Sequence, residues 1–146
     1  MKKFLFVSIL LLIAAASMAQ SWEKNFEIAK ERSAREGKNI VLCFSGSDWC
    51  IPCIKLEKTI WESKEFAAYS KDHFVLLRAD FPKKKANALP KEQQDQNDKL
   101  AESYNKQGMF PLVVVLNKSG KVLGTTSYKN VSPTEYIALL HAFENN

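Results

Sequence analysis

Cys50 and Cys53 stand three residues apart in the stretch Trp49-Cys50-Ile51-Pro52-Cys53. Ahead of them lies an apolar, β-branched run, Asn39-Ile40-Val41-Leu42-Cys43-Phe44, and a short turn, Ser45-Gly46-Ser47-Asp48. After them comes a helix-compatible run, Ile54-Lys55-Leu56-Glu57-Lys58. A dithiol at the start of a helix turns its first sulfur toward the positive helix end. That position lowers a thiol pKa and favours an attacking thiolate. Thiol–disulfide exchange is therefore the first chemistry the sequence suggests, with Cys50 as nucleophile and Cys53, one turn inward and more shielded, as the resolving thiol.

The third cysteine, Cys43, lies inside the apolar strand pattern and reads as a small buried hydrophobe. Cys50 and Cys53 can pair. A bridge that closes so short a loop adds little folding stability, so chemistry explains it better than stapling does. Zinc sites use the same Cys-x-x-Cys spacing but need a second pair of ligands. The other candidates are Cys43, His73 and His141, and none forms a ligand-like pair in the sequence. No metal and no cofactor is expected. Copper carriage through the dithiol is the remaining metal alternative.

Residues 1–19 read as a cleavable signal peptide. Met1-Lys2-Lys3 is a basic start, Phe4 to Ala16 is apolar, and Ser17-Met18-Ala19 is a small-x-small cleavage site. The apolar run is shorter than the ~20 residues that span a bilayer, which argues against the alternative of a retained anchor. Residues 20–146 then form one domain with one core. Its localisation is periplasmic or otherwise exported. Loss of Lys2 and Lys3 takes the formal charge from +5 to +3. The one lysine run, Lys83-Lys84-Lys85, sits in a Pro- and Asn-containing stretch with Phe81 as its single aromatic neighbour. It reads as a solvated loop, and no nucleic-acid partner is expected.

Elements that position the dithiol follow from periodicity and caps. A helix is predicted over Ser21–Arg35 with Gly37 as its stop, then a buried strand over Ile40–Phe44. Helices are predicted over Cys50–Thr59 and Ser63–Ser70, the second capped by Ser63. Phe74–Asp80 reads as a strand, Phe81–Leu89 as a loop, and Lys91–Tyr104 as a polar helix that buries Leu100 and Tyr104. Leu112–Leu116 is a β-branched central strand. The turn Asn117-Lys118-Ser119-Gly120 leads into a strand over Lys121–Thr125. Ser132-Pro133-Thr134-Glu135 caps a final helix through Phe143. Strands alternating with helices imply a parallel pair, and the last hairpin adds antiparallel strands.

With Trp-Cys-x-x-Cys between strand and helix, Pro111 directly before an apolar strand about 60 residues later, and a Gly-containing hairpin followed by a closing helix, the chain resembles the thioredoxin-like superfamily. The phrase Phe44-Ser45-Gly46-Ser47-Asp48-Trp49-Cys50, with Phe66 and the run Val75 to Asp80, is similar to the exported bacterial subgroup of small members. The resemblance covers Ser21 to Phe143. It implies an α/β fold, a thioredoxin-like three-layer α/β/α sandwich with a mixed central sheet. It implies an oxidoreductase that reduces or isomerises protein disulfides. Pro52 is what the reducing members carry, and this favours the reductant reading. By the same resemblance Pro111 is a cis-proline that presents backbone to a substrate strand. Phe110 then lies beside the substrate groove, and Trp49 packs beside the dithiol and shapes the contact surface.

The implied partners are disulfide-containing protein substrates and a membrane or periplasmic thiol electron donor, and the chain is read as a monomer. A second reading keeps the scaffold as a peptide- or partner-binding module. There the groove near Trp49, Phe110 and Pro111 holds the partner and the disulfide is structural or a switch. One departure stands out. Thioredoxins carry a buried carboxylate on the strand before the motif, whereas this sequence has Cys43 and Phe44 there. Asp48 is expected to be exposed and Glu57 to lie on a neighbouring helix face, which leaves water to take the Cys53 proton.

Overall fold

A computed structural model describes residues 20–146, so the expected signal peptide lies outside the described residues. Among the described residues no helix is long and apolar enough to cross a membrane. The chain runs β1 (Trp22–Glu23), α1 (Phe26–Glu36), β2 (Asn39–Ser45), α2 (Ile51–Leu56), a π-helical turn (Glu57–Trp61), α3 (Lys64–His73) and β3 (Phe74–Asp80). It continues through a 3₁₀ turn (Lys85–Asn87), α4 (Lys91–Tyr104), β4 (Leu112–Leu116), β5 (Val122–Thr126) and α5 (Pro133–Glu144).

The five strands form one mixed sheet in the order β1-β3-β2-β4-β5. β2 pairs parallel with β3 and antiparallel with β4, and β4 pairs antiparallel with β5. Alternating side chains send the two faces of the sheet into two cores. Val41, Cys43, Leu76, Val113 and Val115 pack with Leu56, Ile60, Trp61, Phe66, Tyr136 and Leu140, under α2, α3 and α5. Ile40, Leu42, Phe44, Val75, Leu77, Val114 and Leu116 pack with Ala29 and Leu100, under α1 and α4. The result is a three-layer α/β/α sandwich. Burial on both faces is why β2, β3 and β4 read as continuous apolar runs rather than alternating ones.

The structure departs from the sequence expectation in several places: α3 runs on to His73 rather than ending at Ser70, and Tyr104 is half-buried rather than buried. The first helix starts at Phe26, not Ser21, because Asn25 caps it by accepting a bond from the Ile28 N–H (3.0 Å). Trp22 is drawn instead into a parallel pairing with Leu76, edge-on to Trp61 at 5.5 Å. The helix expected over Cys50–Thr59 is α-helical only to Leu56. It continues as a π-helical turn closed by Glu62 N–H bonding to Glu57 C=O at 2.9 Å. The wider turn places Ile60 and Trp61 together in the core, where they are 0% and 1% exposed. The last strand is shifted by one residue, to Val122–Thr126.

Elsewhere caps set the boundaries. Ser63 Oγ accepts from Phe66 N–H (3.1 Å). At α5 the box is reciprocal: Ser132 Oγ accepts from Glu135 N–H (3.3 Å), while Ser132 N–H donates to Glu135 Oε2 (2.9 Å). Ser132→Ala should lower stability by about 1 kcal/mol in urea unfolding, and Leu140→Ala, in the core, by about 2–5 kcal/mol. Cys43 gives a pH test. Burial pushes its thiol from 9.0 up to about 12, against the opposing charge of Arg78. The folded protein thus keeps a proton that the unfolded chain releases, and stability falls as pH rises from about 9 toward 12. A valine at position 43 should reduce that alkaline slope.

Candidate active site

β2 ends at Ser45, and the chain turns through Gly46–Asp48 to reach Cys50 at the start of α2. Cys50 is itself the cap of that helix. Its backbone is extended (φ −94°, ψ 105°) and its Sγ accepts from the Cys53 N–H at 3.3 Å. Pro52 occupies the first turn, where a missing N–H costs nothing. Cys50 and Cys53 are joined in a disulfide with Cα atoms 5.2 Å apart. The Gly46 N–H points at Cys53 Sγ from 3.5 Å. Cys53 is not the more shielded of the two, because both cysteines are 4% exposed in this oxidised form.

Trp49 connects the dithiol to two distant segments. Its Nε1–H donates to Phe81 C=O (2.7 Å) just beyond β3, and its ring meets Phe110 edge-on at 5.4 Å. Phe110 also packs edge-on to Phe81 at 5.4 Å. The Phe110–Pro111 peptide is cis. Trp49 and Phe110, about 60 residues apart in sequence, therefore meet beside the dithiol, with Pro111 next in the chain and buried. The indole lies directly on Gly46, where any added Cβ would overlap its ring. Ile51 (62% exposed), next to Cys50, and Met109 (45% exposed), next to Phe110, are apolar side chains open to solvent.

Asp48, expected to be exposed, is half-buried and fully engaged. Its carboxylate accepts from the Lys83 and Lys84 N–H groups (2.9 and 3.0 Å) and from Asn87 Nδ2 (2.9 Å). These bonds, Asn87 first, hold its carboxyl below the ordinary range. Glu57 also differs from expectation. It lines the same cavity as Cys53, together with Ser45, Ser47 and Arg78, in a space of about 140 Å³. Arg78 Nη2 donates to Glu57 Oε2 at 2.6 Å. A carboxylate on the helix thus borders the same cavity as Cys53. Its i+4 spacing from Cys53 was visible in sequence, but its pairing with Arg78, 21 residues on, was not.

His73 and His141, which form no pair in the sequence, are brought together with Glu144, so that the ligand atoms of the three lie within 4.8 Å of one another. Tyr69 Oη lies 2.6 Å from His141 Nδ1 and donates to Glu144 Oε1 (3.0 Å), while His73 Nδ1 is 3.2 Å from Glu144 Oε2. The group clasps the ends of α3 and α5. His73 precedes β3 while Asp80, at the strand's far end, leads toward the dithiol, so the clasp lies at the opposite edge of the sheet.

The comparisons agree with this geometry. A Thioredoxin-like family model matches residues 21–118. The disulfide bond reductase DsbH of Chlamydia pneumoniae is 36% identical over 126 residues, which is 86% of this chain and 72% of that protein. A solved DsbH oxidoreductase superposes with a TM-score of 0.78 at 33% identity, covering 84% of this chain and 83% of the other. A disulphide isomerase from Xylella fastidiosa Temecula1 shares the fold, with a TM-score of 0.59 at 24% identity over 79% of this chain and 87% of its own. With a disulfide across the first turn of α2, a cis-proline reached through Trp49, and a family match over most of the described residues, the chain belongs to the thioredoxin-like family.

Proposed function

We propose that this protein is an exported thiol–disulfide oxidoreductase that reduces disulfides in other proteins. The observation that carries the reading is the Cys50–Cys53 disulfide at the start of α2, with the Trp49–Phe110 contact that brings a cis-proline to it. The name of the Chlamydia pneumoniae relative, a disulfide bond reductase, supports reduction over oxidation or isomerisation.

In the reduced form the Cys50 thiolate attacks one sulfur of a substrate disulfide. A mixed disulfide forms, and the other substrate sulfur leaves as a thiolate and takes a proton from water. The Cys53 N–H that bonds Cys50 Sγ favours the charged form of that sulfur. Cys53 then loses its proton and attacks Cys50 Sγ. The mixed disulfide breaks, the second substrate thiolate leaves, and the Cys50–Cys53 disulfide remains. Two electrons have moved from the protein to the substrate, and a membrane or periplasmic dithiol donor restores them. Trp49, Phe110 and Pro111 form the substrate-binding surface, with the Pro111 backbone next to the bound segment.

Glu57 is the group that takes the Cys53 proton. Its carboxylate and Cys53 line one cavity, of about 140 Å³. The proton passes between them across this space. Arg78 orients the carboxylate at 2.6 Å and is a positioning residue. Export rests on residues 1–19, whose basic start, apolar run and Ser17-Met18-Ala19 ending fit a cleaved signal.

Four measurements test this reading. With dithiothreitol as donor the purified protein should accelerate insulin reduction, and Cys50→Ser should return the rate to that of dithiothreitol alone. Cys53→Ser should trap a mixed disulfide on Cys50. Equal activity of wild type and Cys50→Ser would defeat the proposal. Glu57→Gln should slow release of the mixed disulfide by up to about 100-fold and leave its formation unaltered, with the loss shrinking as pH rises and Cys53 deprotonates unaided. Expression with residues 1–19 in a Gram-negative host should yield a periplasmic protein whose N-terminal sequence begins at Gln20.

A further inference from the structure

The stretch Lys83-Lys84-Lys85 reads as a solvated run in the sequence, yet its backbone is fastened beside the dithiol. Asp48, two residues before Cys50, accepts from Lys83 N–H, Lys84 N–H and Asn87 Nδ2 at 2.9, 3.0 and 2.9 Å. Trp49, one residue before Cys50, donates to Phe81 C=O at 2.7 Å. The Lys83 ammonium sits 3.8 Å from the centroid of the Trp49 ring. The Lys83 side chain is thus held beside the residues that precede Cys50, and Lys84 and Lys85 follow it in the same anchored loop.

The three lysines outnumber the two acids beside them, Asp48 and Asp80, by one charge. Asp48 directs its carboxylate at the loop's own N–H donors. Asp80 likewise receives the Ser47 N–H (3.0 Å) and hydroxyl (2.5 Å). Lys83, Lys84 and Lys85 are exposed, and among the described residues none pairs with a carboxylate. The acids bond backbone, amide and hydroxyl donors, while Lys83 covers the Trp49 ring and Lys84 and Lys85 are exposed. Ile51, next to Cys50, is an exposed apolar side chain. A cleft edge of one sign concentrates ligands of the opposite sign and raises their encounter rate.

We infer that this basic loop selects polypeptide disulfides flanked by acidic residues. The inference rests on the oxidoreductase reading, and the exchange step is the one given above. The occupant is a polypeptide because it must deliver a disulfide to Cys50 while an extended segment lies along Trp49, Phe110 and Pro111. Anionic lipid and nucleic acid match the lysines but supply no sulfur.

The test uses two disulfide peptides identical except that the flanking residues are Asp and Glu in one and Lys in the other. In about 20 mM salt the wild-type protein should reduce the acidic peptide with a kcat/KM about 10-fold higher. In about 0.5 M salt, where screening reaches within a few Å, the ratio should approach one. The triple variant K83E/K84E/K85E should invert the ratio. The Asp48 bonds are to backbone N–H groups of the loop, so its anchoring survives the change. Asp48→Ala, which keeps the lysines and frees the loop, should bring the ratio toward one. Equal, salt-insensitive turnover of both peptides by wild type would overturn the inference and leave the oxidoreductase reading standing. Failure to reduce either peptide would instead overturn that reading. Capture by anionic vesicles or oligonucleotides without a peptide preference would also overturn the inference.

Discussion

β2 is held on both edges and both faces, and the site depends on that. Its register matches Ser45 to Asp80 on the parallel side and Phe44 to Leu112 on the antiparallel side. The C-terminal ends of β2 and β3 therefore coincide with the N-terminal start of β4. One edge of the sheet receives three chain segments: the turn into Cys50, the loop that begins at Phe81, and the cis peptide before Leu112. A one-residue slip in any of these pairings would turn an apolar face outward and move Pro111 off the dithiol. Two buried faces forbid that slip, so the packing of the core fixes the geometry of the site.

Within that frame Trp49 is the common contact. It bonds Phe81, meets Phe110 and lies under the Lys83 ammonium. Gly46 makes room for it, because any side chain there would occupy the volume of the indole. The residues that flank the first cysteine thus have two different tasks. Trp49 joins the dithiol to the apolar surface, and Asp48 joins it to the basic loop. Neither contact contributes much to the core, and both are made at the edge where exchange takes place.

The parts of the fold readable from the sequence are those set by local physics. The strands Phe74–Asp80 and Leu112–Leu116 and the helix Lys91–Tyr104 are bounded as their apolar runs and breakers predict. The Ser132–Glu135 box does the same for α5. What was illegible depends on partners far along the chain. β1 is two residues long and exists because Trp22 finds Leu76 and Trp61, and no periodicity can signal a strand that short. The π-helical turn is a response to the space available for Trp61. The basic loop looks solvated until Asp48, 35 residues away, is seen to hold it. The clasp of His73, His141 and Glu144 spans 71 residues for the same reason. At the site the dithiol and the proline were legible as types and spacing, whereas the roles of Asp48 and Glu57 required the fold.

The placement of charge around Cys53 follows from the cost of burial. Cys43 stands opposite Arg78 across the parallel pair, on the same face of the sheet, and is 1% exposed. An ionised carboxylate in that slot would lose nearly all its hydration, and Arg78 would have to compensate it fully. A thiol whose burial keeps it protonated needs no such partner. Arg78 is then free to reach Glu57, whose side chain remains 33% exposed and still borders the Cys53 cavity. The desolvation cost of that acid is lower there than it would be in the strand. The strand thus buries a neutral thiol, and the acid that borders the Cys53 cavity stands on the helix, where water shares its charge.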